Sequence, residues 1–309
     1  MRSCFQLLLL AFVFSFQIAT AQTIERLYNI SPTDTASNYT LVIKPASKTQ
    51  GMILIFPGFG EKPADVLKET SLPTKAANAG YVVAIPYISN NTALSLTDAK
   101  QKQVDQLIQN LKQKYKLQRG KLIVGGFSMG GTAAVKFAEY SLTTSTSPKV
   151  HALFAVDPLL DLERFERAVQ KAVHRSKASG SKRMMGMLQS MLIADFGSTP
   201  LQTPEKYYNI SPYAYSDTTC TAIKPLRHLP ILIFSEPDAE NQFNANHRDL
   251  YDLNTADCTA MIADLQSMGN GKATLILTTG KGRRADGTLN PHAWSILQVD
   301  KTISWLNSL

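Results

Sequence analysis

Short apolar runs alternate along this chain with longer stretches in which apolar residues recur every third or fourth position. Met52-Ile-Leu-Ile-Phe56, Tyr81-Val-Val-Ala-Ile-Pro86, Lys121-Leu-Ile-Val-Gly125, Val150-His-Ala-Leu-Phe-Ala-Val156, Pro230-Ile-Leu-Ile-Phe234 and Ala273-Thr-Leu-Ile-Leu-Thr278 read as strands buried on both faces, with Leu41-Val-Ile-Lys44 as an earlier one. Between them, 64–79 has helical character broken near Pro73, and 97–115 places Val104, Leu107, Ile108 and Leu111 on one helical face. Helical patterns follow over 131–140 and 249–268, and over 293–309 with Ile296, Leu297, Ile303 and Leu306 as core candidates. Strands alternating with helices predict an α/β fold, a mostly parallel central sheet with helices on both faces. In such sheets, reactive groups collect outside the carboxyl ends of the strands.

The alternation fails over 159–227. That stretch holds a charged helix candidate over 160–173, a basic Ser/Gly segment over 176–183, the methionines Met184, Met185, Met187 and Met191, and an aromatic group, Tyr207, Tyr208, Tyr213 and Tyr215. It reads either as a lid or cap over the sheet edge, where methionines suit an adaptable apolar surface, or as a pair of ordinary helices packed by those methionines. Residues 22–309, with 159–227 as an insertion, are expected to form one domain.

Residues 1–21 have the form of a cleaved leader: Arg2, an apolar stretch from Leu7 to Phe14, and Ala19-Thr-Ala21 at the cleavage position. The apolar stretch is short for a membrane span. The expected mature chain starts at Gln22, is secreted or periplasmic, and has no stable membrane insertion. Asn38, Asn90 and Asn209 head acceptor triplets that matter only in a host that glycosylates.

Composition is that of a globular protein, with 44% hydrophobic and 18% charged residues and a formal charge of +8, or +7 without Arg2. The basic residues are scattered, and their densest group, 171–183, lacks interleaved aromatics, so the charge does not predict nucleic-acid binding. Beyond the leader two cysteines remain, Cys220 and Cys258. One disulfide and two separate thiols are both open. There is no Cys-x-x-Cys and no clustered His/Cys pattern, and nothing calls for a metal or an organic cofactor.

The chemistry concentrates in Gly126-Phe127-Ser128-Met129-Gly130, between a strand and a helix. A G-x-S-x-G in that setting predicts a nucleophile elbow, a sharp turn that raises Ser128 above the sheet edge. A serine needs a positioned base. His292, in the polar Gly-rich loop after the last strand, is the first candidate and His247 its rival; His151, His174 and His228 are placed at strand starts or in the insertion. The base needs an acid. Asp238, after the Pro230–Phe234 strand, is favoured; Asp157 at the end of the preceding strand, Glu236 and Glu240 are the alternatives. For an oxyanion, Met129 N–H supplies one donor and Phe59 N–H, in Pro57-Gly-Phe-Gly60, the other, with Gly60 N–H in reserve.

Four segments together resemble the α/β-hydrolase superfamily: Phe56-Pro-Gly-Phe-Gly60, Gly125-Gly-Phe-Ser-Met-Gly-Gly131, Leu232-Ile-Phe-Ser-Glu-Pro-Asp238 and Pro291-His-Ala-Trp294. The match in strand–helix alternation runs from about Leu41 to the end. The resemblance implies Ser128 as nucleophile, His292 as base and Asp238 as acid. Gly-Phe-Ser-Met-Gly is similar to the esterase and dienelactone-hydrolase-like branches, and Trp294 after the histidine resembles secreted polyester and feruloyl esterases. Pro57 departs from the His-Gly pattern of many members, which blurs the branch, and 159–227 matches no known lid. The implied activity is hydrolysis of small-molecule or polymer-linked carboxylic esters without a cofactor. A peptidase or acyltransferase with the same residues, and a non-catalytic binding protein on this fold, are the alternatives.

Overall fold

The computed structural model describes residues 22–29, 38–46, 48–88, 97–175 and 179–309. The leader expected over 1–21 and the acceptor at Asn90 lie outside the described residues. An eight-stranded sheet forms the centre: β1 (Thr23–Tyr28), β2 (Asn38–Lys44), β3 (Gly51–Phe56), β4 (Tyr81–Ile88), β5 (Lys121–Phe127), β6 (Ala152–Val156), β7 (Ile231–Ser235) and β8 (Ala273–Leu277). The order across the sheet is β1-β2-β4-β3-β5-β6-β7-β8. β1–β2 and β2–β4 pair antiparallel, and all pairs from β4–β3 to β7–β8 are parallel.

The all-apolar runs become strands buried on both sides because helices cover both faces. Met52, Leu54 and Phe56 point to one layer and Ile53 and Ile55 to the other. The first layer holds α3 (Asp98–Lys114), α4 (Met129–Thr143) and α9 (Thr255–Ser267), through Val104, Ile108, Phe137, Met261 and Leu265. The second holds α1 (Pro63–Glu69), α2 (Leu72–Asn78) and α10 (Val299–Ser308), through Val66, Leu72, Ala76 and Leu306. Each fully buried Leu, Ile or Phe contributes about 1.5–3 kcal/mol by leaving water.

Several boundaries differ from the sequence reading. The break in 64–79 falls at Thr70–Ser71, ahead of Pro73, because a proline is accepted in the first turn of a helix. The final helix begins at Val299; Trp294–Ile296 form a separate 3-10 turn. β1 was not expected. Its sequence, Thr-Ile-Glu-Arg-Leu-Tyr, is an exposed edge strand, stabilised by pairing with β2 rather than by burial. A short helix, α8 (Ala239–Asn246), follows β7.

The segment between β6 and β7 carries α5 (Leu162–Arg175), α6 (Ser179–Phe196) and α7 (Pro204–Ile210). A separate apolar cluster joins them, built from Leu159, Leu162, Leu192, Phe196 and Tyr207, with Met129 and Phe165 packed against it. The Phe196 and Tyr207 rings lie 4.5 Å apart. The methionines do not provide this packing: Met184 and Met187 are among the exposed hydrophobic side chains. Cys220 and Cys258 are separate free thiols, Cys258 fully buried on α9.

The tightest approach of backbone to backbone around a glycine is at the start of α4. A Cβ on Gly130 would lie 2.2 Å from the Phe56 carbonyl oxygen and 2.3 Å from that of Pro57, and one on Gly126 would lie 2.5 Å from Gly130. These neighbours are backbone and cannot swing aside. Gly186, in α6, would meet nothing within 4 Å. Gly130→Ala is therefore expected to cost about 3 kcal/mol or more, whereas Gly186→Ala should stabilise by about 0.5–1 kcal/mol. Urea unfolding of both variants checks this; equal midpoints would contradict the packing described.

Candidate active site

Ser128 stands between β5 and α4 with φ 54° and ψ −124°, a conformation that L residues rarely adopt. Such strain costs on the order of 1–3 kcal/mol and persists only where neighbours enforce it. Here Ser128 N–H donates to the Val156 carbonyl at 2.9 Å, and the Ser128 carbonyl accepts from Thr132 N–H at 3.0 Å. Thr132 Oγ1 donates to the Leu159 carbonyl at 2.6 Å, locking the first turn of α4 to the end of β6. The glycines at 126 and 130 permit the turn, and Ser128 Oγ faces a cavity instead of the core.

His292 reaches the serine from the loop after β8. Its Nε2 lies 2.9 Å from Ser128 Oγ. The loop is held from beneath by Glu236, whose buried carboxylate accepts from Lys281 N–H at 2.9 Å and Gly282 N–H at 2.9 Å. Asn290 Oδ1 accepts from His292 N–H at 3.0 Å. The Phe127 ring packs against the imidazole with centroids 4.6 Å apart. Backbone, ring face and loop thus fix the histidine from three sides.

The carboxylate against His292 is Asp157, not Asp238. Asp157 Oδ2 lies 2.6 Å from His292 Nδ1. Its other oxygen accepts from Ser235 Oγ at 2.6 Å, and Ser235 Oγ lies 2.6 Å from Thr255 Oγ1. Ser235 has one hydroxyl proton and gives it to Asp157, so Thr255 donates to Ser235. The physical reason lies in the sheet. Asp157 directly follows β6, the strand paired with β5, while Asp238 follows β7, one strand further away. A positive φ of 45° at Asp157 sets its orientation, fixed by its N–H to the Phe234 carbonyl at 2.7 Å and by Asn254 Nδ2 to its own carbonyl at 3.1 Å. The corresponding place at the end of β7 is taken by Ser235. Asp238 instead sits in a left-handed conformation ahead of α8. An acid on Nδ1 leaves Nε2 as the basic nitrogen facing Ser128.

The other titratable candidates have separate places. His247 closes α8 and is exposed. His151 Nδ1 accepts from Leu122 N–H at 3.2 Å, and burial lowers its pKa. His228 accepts from Arg227 Nε at 3.1 Å, and His174 is exposed on α5. Glu240 is exposed on α8.

Phe59 and Met129 both line the cavity at Ser128, and among the described residues neither backbone N–H donates within the protein. The Phe59 turn is anchored by Glu61, which the sequence reading passed over. Its Oε2 accepts from Gly58 N–H at 2.8 Å and from Trp294 Nε1 at 3.1 Å. Burial raises the Glu61 pKa, opposed by those two hydrogen bonds. Glu61 thereby ties the turn after β3 to the residue two past His292. Its only signal in sequence was an acid after a glycine-rich turn. Ser235, Thr255 and Asn254 gave none, since a polar residue at a strand end or helix start is commonplace.

The cavity has a volume of about 500 Å3. One wall is apolar, from Phe165 and Val169 on α5 and Met185 and Leu188 on α6; the other is polar, from Gln242, Asn246, Arg248 and Asn254.

The model of a family described as "Alpha/beta hydrolase of unknown function (DUF915)" matches residues 66–202, from α1 through α6, including Ser128 and Asp157 but not His292. No curated protein matches the sequence. Among solved structures, carboxyl esterase 2 of the fungus Tuber melanosporum is similar with TM-score 0.57 and 17% identity, over 94% of this chain and 87% of that one. The thermophilic esterase Est2 of Thermogutta terrifontis, solved with butyrate bound, has TM-score 0.53 and 14% identity over 92% of each chain. The acylaminoacyl peptidase of Pyrococcus horikoshii has TM-score 0.51 and 12% identity over 84% of this chain, which spans only 37% of the peptidase. Likeness at these identities is likeness of fold.

The geometry separates the two aspartates. Asp157→Asn should slow labelling of Ser128 by a fluorophosphonate by about 10²–10⁴-fold, while Asp238→Asn stays within about threefold. The reverse order of effects would contradict the assignment of Asp157.

Proposed function

We propose that this chain, which has the α/β-hydrolase fold, is a serine hydrolase that cleaves carboxylic esters through an acyl-enzyme. The observation that carries the reading is the hydrogen-bonded line Ser128–His292–Asp157, at 2.9 and 2.6 Å, opening into a cavity. His292 Nε2 takes the proton of Ser128 as Oγ attacks the acyl carbon. Asp157 holds the imidazole in the required tautomer and stabilises the imidazolium. The Phe59 and Met129 N–H groups receive the oxyanion, the second aided by the N-terminal end of α4. His292 then protonates the leaving alkoxide, and a water, deprotonated by the same nitrogen, releases the acid. Strain at Ser128 and the network behind Asp157 support the reading, since both preorganise groups that an idle serine does not need.

Export is part of the proposal. The leader pattern over 1–21 supports a mature chain outside the cytoplasm, and no helix among the described residues is long and apolar enough to cross a membrane.

Hydrolysis of p-nitrophenyl esters from acetate to palmitate tests the reaction. Wild type should turn over the short and medium chains that a cavity of about 500 Å3 admits, and Ser128→Ala should lose about 10³-fold or more in kcat. Turnover that survives Ser128→Ala would overturn the serine mechanism. Turnover of the matching p-nitroanilides at rates equal to the esters would favour a peptidase.

A further inference from the structure

The polar wall of the cavity contains a positive charge that the protein does not neutralise at close range. Arg248 lies two residues past α8, where His247 turns the chain with φ 53° and Arg248 N–H donates to the Gln242 carbonyl at 3.2 Å. The side chain is part-buried and lines the same cavity as Ser128 and His292. A guanidinium has five N–H donors. Among the described residues, this one makes a single hydrogen bond, from Nη2 to the Asp252 backbone carbonyl, and no carboxylate stands within ion-pair distance of it.

The surrounding acids are committed elsewhere. Asp252 pairs with Arg175 at 2.8 Å and accepts from Asp249 N–H at 3.0 Å. Asp249 pairs with Arg175 at 3.1 Å. Asp157 serves His292 and Ser235. Of the other cations, Arg164 is matched to Asp257, and Arg284, which also lines the cavity, lies 3.9 Å from the Glu61 carboxylate. Burial pulls the Arg248 guanidinium below the usual arginine range, against the longer-range attraction of Asp252, Asp157 and Asp249. Uncompensated buried charge is costly, and arginine's planar fork matches a carboxylate in bidentate geometry.

We propose that Arg248 binds a carboxylate of the substrate, so that the esters this cavity prefers carry a second, free carboxylate group. This rests on the serine-hydrolase reading above and narrows it to a substrate class. The apolar wall of α5 and α6 contacts the carbon chain, Ser128 attacks the ester carbonyl, and Arg248 fixes the charged end. Two placements share this chemistry, a carboxylate on the acyl part or on the alcohol part, and they are separable by experiment.

The test compares matched esters on the full chain. For the acyl side, mono-p-nitrophenyl adipate is set against p-nitrophenyl hexanoate, which has the same acyl length. For the alcohol side, the butanoyl ester of glycolate is set against ethyl butanoate, followed by pH-stat titration. Wild type should favour the charged member of one pair by about tenfold or more in kcat/KM. Arg248→Met should reduce that preference by about 10–100-fold, mainly through KM, and Arg248→Lys should recover part of it. Adipate itself should inhibit hydrolysis of the neutral ester competitively, and far better than hexanoate, which needs no variant.

Equal handling of charged and neutral esters by wild type, with no inhibition by adipate, would overturn the inference while leaving the hydrolase reading intact. A uniform loss on both members of each pair in Arg248→Met would also overturn it, and would make Arg248 a positioning residue for Asp157. If wild type hydrolyses none of the four esters and a fluorophosphonate fails to label Ser128, the hydrolase reading itself falls and takes this inference with it.

Discussion

The contact between the start of α4 and the end of β3 is the constraint on which the site depends. With Gly130 against the Phe56 and Pro57 carbonyls, β5 can turn directly into a helix without leaving the sheet edge. That compression is what holds Ser128 at φ 54°. It also brings the first N–H groups of α4 beside the turn after β3, so that the serine and the two N–H groups proposed as oxyanion donors are set by one packing contact. The histidine and the acid come from elsewhere, but each is tied to this corner: Asp157 through the Val156 carbonyl that receives Ser128 N–H, and His292 through the ring of Phe127.

Behind the serine lies a second, entirely polar layer. Thr255, Ser235 and Asp157 form a chain of short hydrogen bonds that ends on the imidazole. Glu236 and Glu61 hold the two loops that flank it. Each of these groups is satisfied by a neighbour rather than by solvent, the condition under which buried polar networks rigidify a site. One result is that β7, the strand whose loop bears Asp238, contributes to the site through Ser235 and Glu236, as a support for the acid and the histidine loop.

Much of the fold was legible in the sequence because its strands are all-apolar and its elbow has a strict glycine spacing. Seven strands could be read from those signals, and the serine and histidine singled out in the sequence are the pair that the structure brings to 2.9 Å. The acid could not be chosen in that way. Asp157 and Asp238 both follow strands that point at the site; the choice depends on a positive φ at Asp157 and on Ser235 occupying the end of β7, neither of which leaves a pattern in sequence. β1 was missed because an exposed edge strand need not be apolar. α6 was legible only as one of two readings of 159–227, because its glycine, serine and methionine content carries a weak helical signal, and its packing comes from Leu192 and Phe196 on Tyr207 rather than from the methionines. Arg248 was invisible for another reason. An arginine after a helix is ordinary; its meaning lies in which acids around it are already paired.

The central claim is that Ser128, made nucleophilic by His292 and Asp157, carries the acyl group of an ester. Reaction with a p-nitrophenyl carbamate tests it most directly, since carbamoyl-enzymes release their group slowly enough for peptide mass mapping. The account predicts release of one equivalent of p-nitrophenol and a carbamoyl group on the peptide containing Ser128, with the rate of carbamoylation dependent on Asp157. A carbamoyl group on any other residue, or steady ester turnover by a protein that never becomes carbamoylated, would contradict it.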